Sequence, residues 1–244
     1  MNNNLEIPQL TAKFNYELPE KQILLVSGGY PPTIPWLSKA SKGREIYCAD
    51  HGIDICKKAN IIPSQLIGDG DSASSEAWNW AKINNVPIAK FPVKKDVTDT
   101  QLAFQMIADT YPAATVLFTG AWGGRFDHAF SSIFSFKGMF TPKFRGCIAD
   151  HREALFILKD EDYLTLYLKE RPKAISLLPI SDICIGVSIT GVYWPLDKVM
   201  LNNNLPYAIS NEVNSKENTI WISQKKGILG VYLHWEKNII NKKS

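Results

Sequence analysis

Asp69-Gly70-Asp71-Ser72 sets two carboxylates two residues apart in a glycine-flanked turn after the apolar run QLIG. In extended backbone, side chains at i and i+2 share a face, so both can reach one cation. Gly68 and Gly70 let the backbone come close to a phosphate. Three more charged groups stand in like positions. Asp50 closes EIYCAD, Asp96 and Asp99 lie in KKDVTD, and Arg125, Asp127 and His128 close TVLFTGAWGGRFDH. Each follows a short apolar, β-rich run and precedes a helix-like stretch. Converging carboxylates repel one another unless a cation holds them. Oxygen ligands without a Cys or His cluster favour Mg²⁺, which also takes substrate phosphate. The chemistry expected is a Mg²⁺-dependent reaction on a phosphorylated substrate.

Each motif also has a plainer reading. Asp71 or Ser72 can cap the helix that follows. In Lys94-Lys95-Asp96-Val97-Thr98-Asp99, a lysine can sit on phosphate and Asp99 can face a metal, in a first helical turn that favours its charge. The same residues can form a solvated loop, with Thr98 and Gln101 as a T-x-x-Q capping box. Gly123 and Gly124 can present free N–H groups to an anion, and Arg125 can add a bidentate contact. They can equally form a glycine turn with Asp127 as N-cap and His128 packed beside it. Neither G-x-x-x-x-G-K-[ST] nor G-x-G-x-x-G occurs, which excludes a P-loop and argues against an ordinary dinucleotide fold.

The elements that must position these groups alternate. ILLVSGG (23–29), EIYCAD (45–50), QLIGD (65–69), VPIAKFPV (86–93) and TVLFTG (115–120) read as strands with helices between them. Leu102, Ala103, Met106 and Ile107 share one helical face. This order predicts a parallel sheet covered by helices, with ligands beyond the carboxyl ends of its strands. After residue 141 the helical period disappears. Six or so short strands follow, among them one in which Tyr163, Thr165 and Tyr167 oppose Leu164, Leu166 and Leu168, and QKKG (224–227) reads as a hairpin turn. The expected organisation is an extended arm over 1–20, an α/β domain over 21–141 and a small all-β sandwich over 142–244, with a frayed tail from 237.

Composition narrows the class. The 244 residues are 45% hydrophobic and 21% charged, with a net charge of +3, ordinary for a soluble globular protein. No basic footprint points to nucleic acid or a membrane surface. No apolar run has the length of a membrane span, and the first residues do not read as a signal peptide. Cys48, Cys56, Cys147 and Cys184 are scattered, without C-x-x-C, and read as buried thiols of a cytoplasmic protein.

In order and spacing, GDGDS, KKDVTDTQLA and GGRFDH resemble the thiamine pyrophosphokinase family, as does ADHG (49–52), close to that family's A-D-G-G. In the second half, AISLLPIS (174–181), TGVYWPLD (190–197) and AISNEV (208–213) look like the family's S-L-L-P, G-x-x-W/Y-x-L and S-N segments. The resemblance covers roughly residues 23 to 235. It implies an α/β domain followed by a β-sandwich. It also implies transfer of a pyrophosphoryl group from ATP to the thiamine hydroxyl with Mg²⁺, giving thiamine diphosphate and AMP, in a homodimer that shares its active sites. On this reading Asp69, Asp71 and Asp99 hold the metal. Lys95, Thr98, Ser72, Gly123, Gly124, Arg125 and His128 face the nucleotide. Asp50 and Asp127 are candidates to orient or deprotonate the hydroxyl, and Trp194, Ser210 and Asn211 bind thiamine. Two positions depart from the pattern: His51 stands where a glycine is usual, and Gln101 where Glu is usual. The alternatives are a pyrophosphokinase acting on another alcohol, such as a hydroxymethyl pterin, and a non-catalytic thiamine-diphosphate binding protein.

Overall fold

The computed structural model describes residues 2–91, 96–205 and 207–236. Lys94 and Lys95, the end of the expected 86–93 strand and the tail from 237 lie outside the described residues. The chain divides into two compact units. One comprises Met1–Pro8 and Glu17–Asp150, the other Gln9–Tyr16 and His151–Ser244.

The first twenty residues, expected as an extended arm, are built into strands, β1 (Asn4–Ile7) and β2 (Leu10–Phe14). Leu5, Ile7, Leu10, Ala12 and Phe14 are buried, a period-two pattern that the Asn-rich start and two prolines obscured. β2 belongs to the second unit.

In the first unit, β3 (Gln22–Val26), β4 (Glu45–Ala49), β5 (Gln65–Gly68), β6 (Ile88–Lys90), β7 (Ala114–Thr119) and β8 (Phe144–Ala149) form a parallel sheet in the order β8-β7-β3-β4-β5-β6. Every residue of β7 and nearly every residue of β3 and β4 is buried. Both faces of the sheet are therefore covered, as parallel strands require. The covering helices are α1 (Ile34–Ala40), α2 (Gly52–Lys58), α3 (Ser75–Ile83), α4 (Asp99–Thr110) and α5 (Phe126–Met139). Strand β8 moves the end of this unit from the expected 141 to Asp150. On α4 the buried residues are Ala103, Phe104 and Ile107, with Leu102 and Met106 only half-buried. Phe104 turns inward because it packs edge-on against Phe118 of β7, ring centroids 5.2 Å apart. Strand order runs outward from β3 in both directions, so the sheet has its topological switch point between β3 and β7.

The second unit is all β. β9 (Glu153–Lys159), β10 (Tyr163–Leu168), β11 (Ala174–Pro179), β12 (Ile183–Thr190), β13 (Leu196–Asn202), β14 (Thr219–Ser223) and β15 (Ile228–His234) make two antiparallel layers. One runs β11-β15-β9 and the other β2-β10-β14-β12-β13. Leu164, Leu166, Ile220 and Ile222 point into the core, while Tyr163, Tyr167 and Trp221 face out. Phe14 of one layer lies 6.4 Å from Phe156 of the other. The segment 224–227 is not a hairpin turn, because β14 and β15 sit in different layers. It carries the chain across, held by the buried Gln224, whose Nε2 donates to the carbonyls of Leu158 at 2.8 Å and Gly227 at 3.0 Å. All four cysteines are buried and unbridged. Among the described residues no helix is long and apolar enough to cross a membrane.

Candidate active site

A cleft of about 840 Å³ opens beyond the carboxyl ends of β3, β4, β5 and β7. At the ends of β4, β5 and β7 the backbone takes a conformation that few residues adopt. Asp50, just after β4, has φ 45°, in the left-handed region that Asp tolerates better than most residues. Its N–H donates to Ile67 at 2.8 Å, so β4 and β5 stay paired one residue beyond the strand. Gly68, at φ 150°, passes so close that a Cβ there would lie 3.3 Å from Asp50 Cα. The chain then turns through Gly70, at φ 82° over the ring of Trp78.

These turns bring three carboxylates together. Asp50, Asp69 and Asp99 each offer an oxygen, and the three oxygens lie within 4.8 Å of one another. Asp99 stands at the start of α4, where Thr98 and Gln101 form the expected capping box. Gln101 N donates to Thr98 Oγ1 at 3.2 Å, and Thr98 N to Gln101 Oε1 at 2.8 Å. Asp50 Oδ1 is buried without a hydrogen-bond partner, while its Oδ2 accepts from the Ser72 hydroxyl. Burial, opposed by a backbone hydrogen bond from His51 and reinforced by Asp99, Asp71 and Asp69, pushes the Asp50 carboxyl up to about 6. A divalent cation bound at about 2.1 Å would set its ligand oxygens about 3–4 Å apart. The spacing and the orphaned oxygen therefore fit such an ion.

The metal set expected from sequence was Asp69, Asp71 and Asp99. Asp71 borders the cleft but sits on the exposed side of the turn, outside the close group, and Asp50 stands in its place. Asp71 N donates to Asp69 Oδ1 at 3.0 Å, which shapes the turn. The cap of α3 is Ser74, whose Oγ accepts from Ala77 N at 3.1 Å, and neither Asp71 nor Ser72 fills that role.

Across the cleft, Gly120, Gly123 and Gly124 have φ between 69° and 77°. Gly123 and Gly124 precede α5, as an anion-binding turn should. Arg125 and His128 border the cleft with them. Arg125 is paired with Asp127, Nε to Oδ1 at 3.1 Å and Nη2 to Oδ2 at 2.5 Å. That pairing holds the Asp127 carboxyl below its usual range. Asp127 is thus neither the helix cap nor a residue bordering the cleft. Lys95 lies outside the described residues. Ser27, Gly28, Gly29, Tyr30, Thr100 and Ser132 also border the cleft. The two glycines after β3 carried a signal for the first of these. Thr100 and Ser132 carried none, being single polar residues on helices.

In the second unit, Trp194 and Asn211 are brought together. Trp194 N donates to Asn211 Oδ1 at 3.1 Å, and Asn211 Nδ2 donates to the Trp194 carbonyl at 2.6 Å. Arg171 fixes the loop behind them through the carbonyls of Val213, Asn214, Ser215 and Glu217. Trp194 is 55% exposed, so it is not a core residue. With Tyr207 and Asn211 it borders an apolar cavity of about 140 Å³. Ser210, at φ 58°, donates its N–H to Ser176 Oγ at 3.0 Å and is not among the residues bordering that cavity.

Comparison with known proteins bears on both units. Residues 38–147 match the thiamin pyrophosphokinase catalytic domain, and residues 163–229 match the thiamin pyrophosphokinase vitamin B1 binding domain. The thiamine pyrophosphokinase of Bacillus subtilis (strain 168) is 28% identical over 212 residues, which are 86% of this chain and 96% of that protein. The crystal structure of a Bacillus subtilis thiamine pyrophosphokinase superposes with a TM-score of 0.78 at 22% identity, over 88% of this chain and all of that one. The Candida albicans enzyme gives 0.75 at 18% identity, over 88% of this chain and 89% of that one. These structures share the fold of an α/β unit followed by a β-sandwich.

Proposed function

We infer that this chain, which belongs to the thiamin pyrophosphokinase family, transfers the pyrophosphoryl group of ATP to the hydroxyl of thiamine, giving thiamine diphosphate and AMP. The observation that carries the reading is the convergence of Asp50, Asp69 and Asp99 at the strand ends of the unit matching the family's catalytic domain. The hydroxyl oxygen attacks the β-phosphorus, the bond from that phosphorus to the oxygen bridging the α-phosphate breaks, AMP departs and the hydroxyl proton is released. Such a transfer asks the protein mostly for positioning and charge stabilisation. Asp50, Asp69 and Asp99 would hold Mg²⁺, which when bound offsets charge on the phosphate oxygens. The N–H groups of Gly123 and Gly124 suit a phosphate at the start of α5. Arg125 reaches phosphate by exchanging Asp127 for it, and both partners are exposed, so little holds them together. Lys95 adds a further cation on this reading.

Incubation with ATP, Mg²⁺ and thiamine is expected to give AMP and thiamine diphosphate in equal amounts, and no AMP without thiamine. AMP formed only with a hydroxymethyl pterin would move the reading to another alcohol. Tight thiamine-diphosphate binding without turnover would make the chain a binding protein.

The reading includes Trp194 as the platform for thiamine, a cation with flat rings that an indole face attracts. The exposed ring held by Asn211 supports it. It also includes a cytoplasmic homodimer in which each site draws on both protomers. Trp194→Ala should raise KM for thiamine about 10-fold and leave KM for ATP unchanged. At thiamine far below the raised KM, mixing inactive Asp69→Asn with Trp194→Ala protein should give more activity than the two proteins apart, since some mixed dimers hold one intact site. Equal loss for both substrates would make Trp194 structural, and no recovery on mixing would remove the shared site.

A further inference from the structure

The turn that carries Asp69 and Asp71 holds a hydrogen bond within itself, from Asp71 N to Asp69 Oδ1 at 3.0 Å. Gly68 and Gly70 both have positive φ, and Asp71 and Ser72 are exposed. It is tied down from outside. The Ser72 hydroxyl donates to Asp50. Ser74 N donates to Asp54 Oδ2 at 3.1 Å. His51 Nδ1 lies 3.1 Å from the Ser72 carbonyl oxygen and 3.2 Å from Asp54 Oδ2. Both of those partners can only accept, so Nδ1 carries a hydrogen and donates it. Half of the His51 side chain is exposed, so packing does not account for it.

We propose that His51 is a positioning residue whose Nδ1–H clamps the acidic turn against Asp50, keeping Asp50, Asp69 and Asp99 within reach of one divalent cation. The proposal rests on the preceding reading only for the use made of that cation. A glycine, usual at this place in the family pattern, has no side chain with which to make the tether. The backbone opposite leaves room for a side chain at 51. A Cβ built on Gly28 would meet His51 Cβ at 2.9 Å, whereas the next nearest atoms, His51 Cα and N, stand at 3.6 Å. Gly28 and His51 are therefore a matched pair, and a larger residue fits at 28 only when the side chain at 51 is removed.

The experiment measures Mn²⁺ binding to the full chain, by the resonance signal of free Mn²⁺, without ATP or thiamine. AMP formation is followed in parallel. His51→Ala and His51→Gly should bind Mn²⁺ about 10-fold more weakly than the wild type, as loss of a partner that orients metal ligands generally does. His51→Asn, whose side-chain amide can donate from near the Nδ1 position, should stay within about 3-fold of it. Wild-type Mn²⁺ binding by His51→Ala overturns the clamp, and so does a loss in His51→Asn as large as that in His51→Ala. Gly28→Ala should weaken Mn²⁺ binding in the His51 background and be silent beside His51→Gly. Equal effects in both backgrounds overturn the pairing. If the ranking in Mn²⁺ binding holds but no AMP forms, the clamp stands and the enzymatic reading fails. If AMP forms and the variants bind Mn²⁺ alike, only the clamp is lost.

Discussion

Asp69→Asn is expected to remove turnover and, with metal chelated, to make the protein harder to unfold. The two effects have one cause. Oxygens of Asp50, Asp69 and Asp99 lie within 4.8 Å of one another. Without a cation their charges oppose folding; burial is the main cause of the rise of the Asp50 carboxyl to about 6, and repulsion from Asp99, Asp71 and Asp69 adds to it. Replacing one carboxylate by an amide of equal size removes about 1 kcal/mol of that repulsion at a partly solvated site. The unfolding midpoint of a unit this large should then rise by about 2–4 °C. With Mg²⁺ and ATP the sign reverses, because a neutral ligand holds the cation less well at the moment charge builds on the phosphates. The rate should fall about 10²-fold or more. Asp71→Asn, on the exposed side of the turn and outside the close group, should show a smaller change in the rate. The unfolding scan is run with a chelator above pH 6, where Asp50 is ionised, and the rate is read as AMP at saturating Mg²⁺. A near wild-type rate, or a metal-free Asp69→Asn protein less stable than the wild type, would leave Asp69 as a turn-shaping residue only.

What could be read from the residues was set by how local each feature is. Asp69, Asp99, Gly123 and Gly124 were legible because strand-end carboxylates and paired glycines advertise themselves within five or six residues. Asp50 was legible as a candidate, but its place beside Asp69 and Asp99 was not. That depends on the left-handed turn at Asp50 and the close pass of Gly68 beside it, a contact across 18 positions with no local trace. The exchange with Asp71 has the same origin: i and i+2 share a face only in extended chain, and Gly70 at φ 82° breaks that geometry. β2 and β8 were missed for another reason. Each lies next to a proline-containing stretch, and each pairs with a strand distant in sequence or follows a crossover. The change of layer at 224–227 was hidden because a four-residue link between two strands reads as a hairpin unless the partners are known. Gln101, a departure from the family's Glu, was predicted in its local role. The capping box needs only an acceptor three residues along, and Gln supplies one.

Gly120→Ala is expected to unfold the first unit about 6–12 °C earlier and to abolish activity, whereas Gly124→Ala should cost far less. The two positions have nearly the same backbone, φ 71° and 69°, so the left-handed penalty of about 1 kcal/mol is common to both. Their surroundings differ. A Cβ at Gly120 would stand 2.2 Å from the carbonyl oxygen of Ser27, whereas at Gly124 it would meet nothing within 4 Å. Ser27 cannot give way cheaply. It belongs to a stretch where the chain after β3 is laced to the chain after β7. Ser27 N donates to the Thr119 carbonyl at 2.9 Å, Gly29 N to Gly120 at 2.7 Å and Tyr30 N to Trp122 at 2.6 Å. Forcing an atom into such packing adds about 1–3 kcal/mol to the backbone term, for a total of about 3 kcal/mol. The damage also reaches the chemistry. Ser27 Oγ lies 2.8 Å from Thr100 Oγ1, one residue from Asp99, so pushing Ser27 aside shifts one of the three converging carboxylates as well as the floor of the cleft. Gly124→Ala leaves that lacing alone and touches only the turn ahead of α5. Its effect should appear as a raised KM for ATP with the unfolding midpoint lowered by only about 2–4 °C. Equal losses of stability in the two variants would mean that backbone conformation alone sets the need for glycine here. A stable but inactive Gly120→Ala protein would mean that the close pass of the β3 and β7 loops serves the site and not the fold.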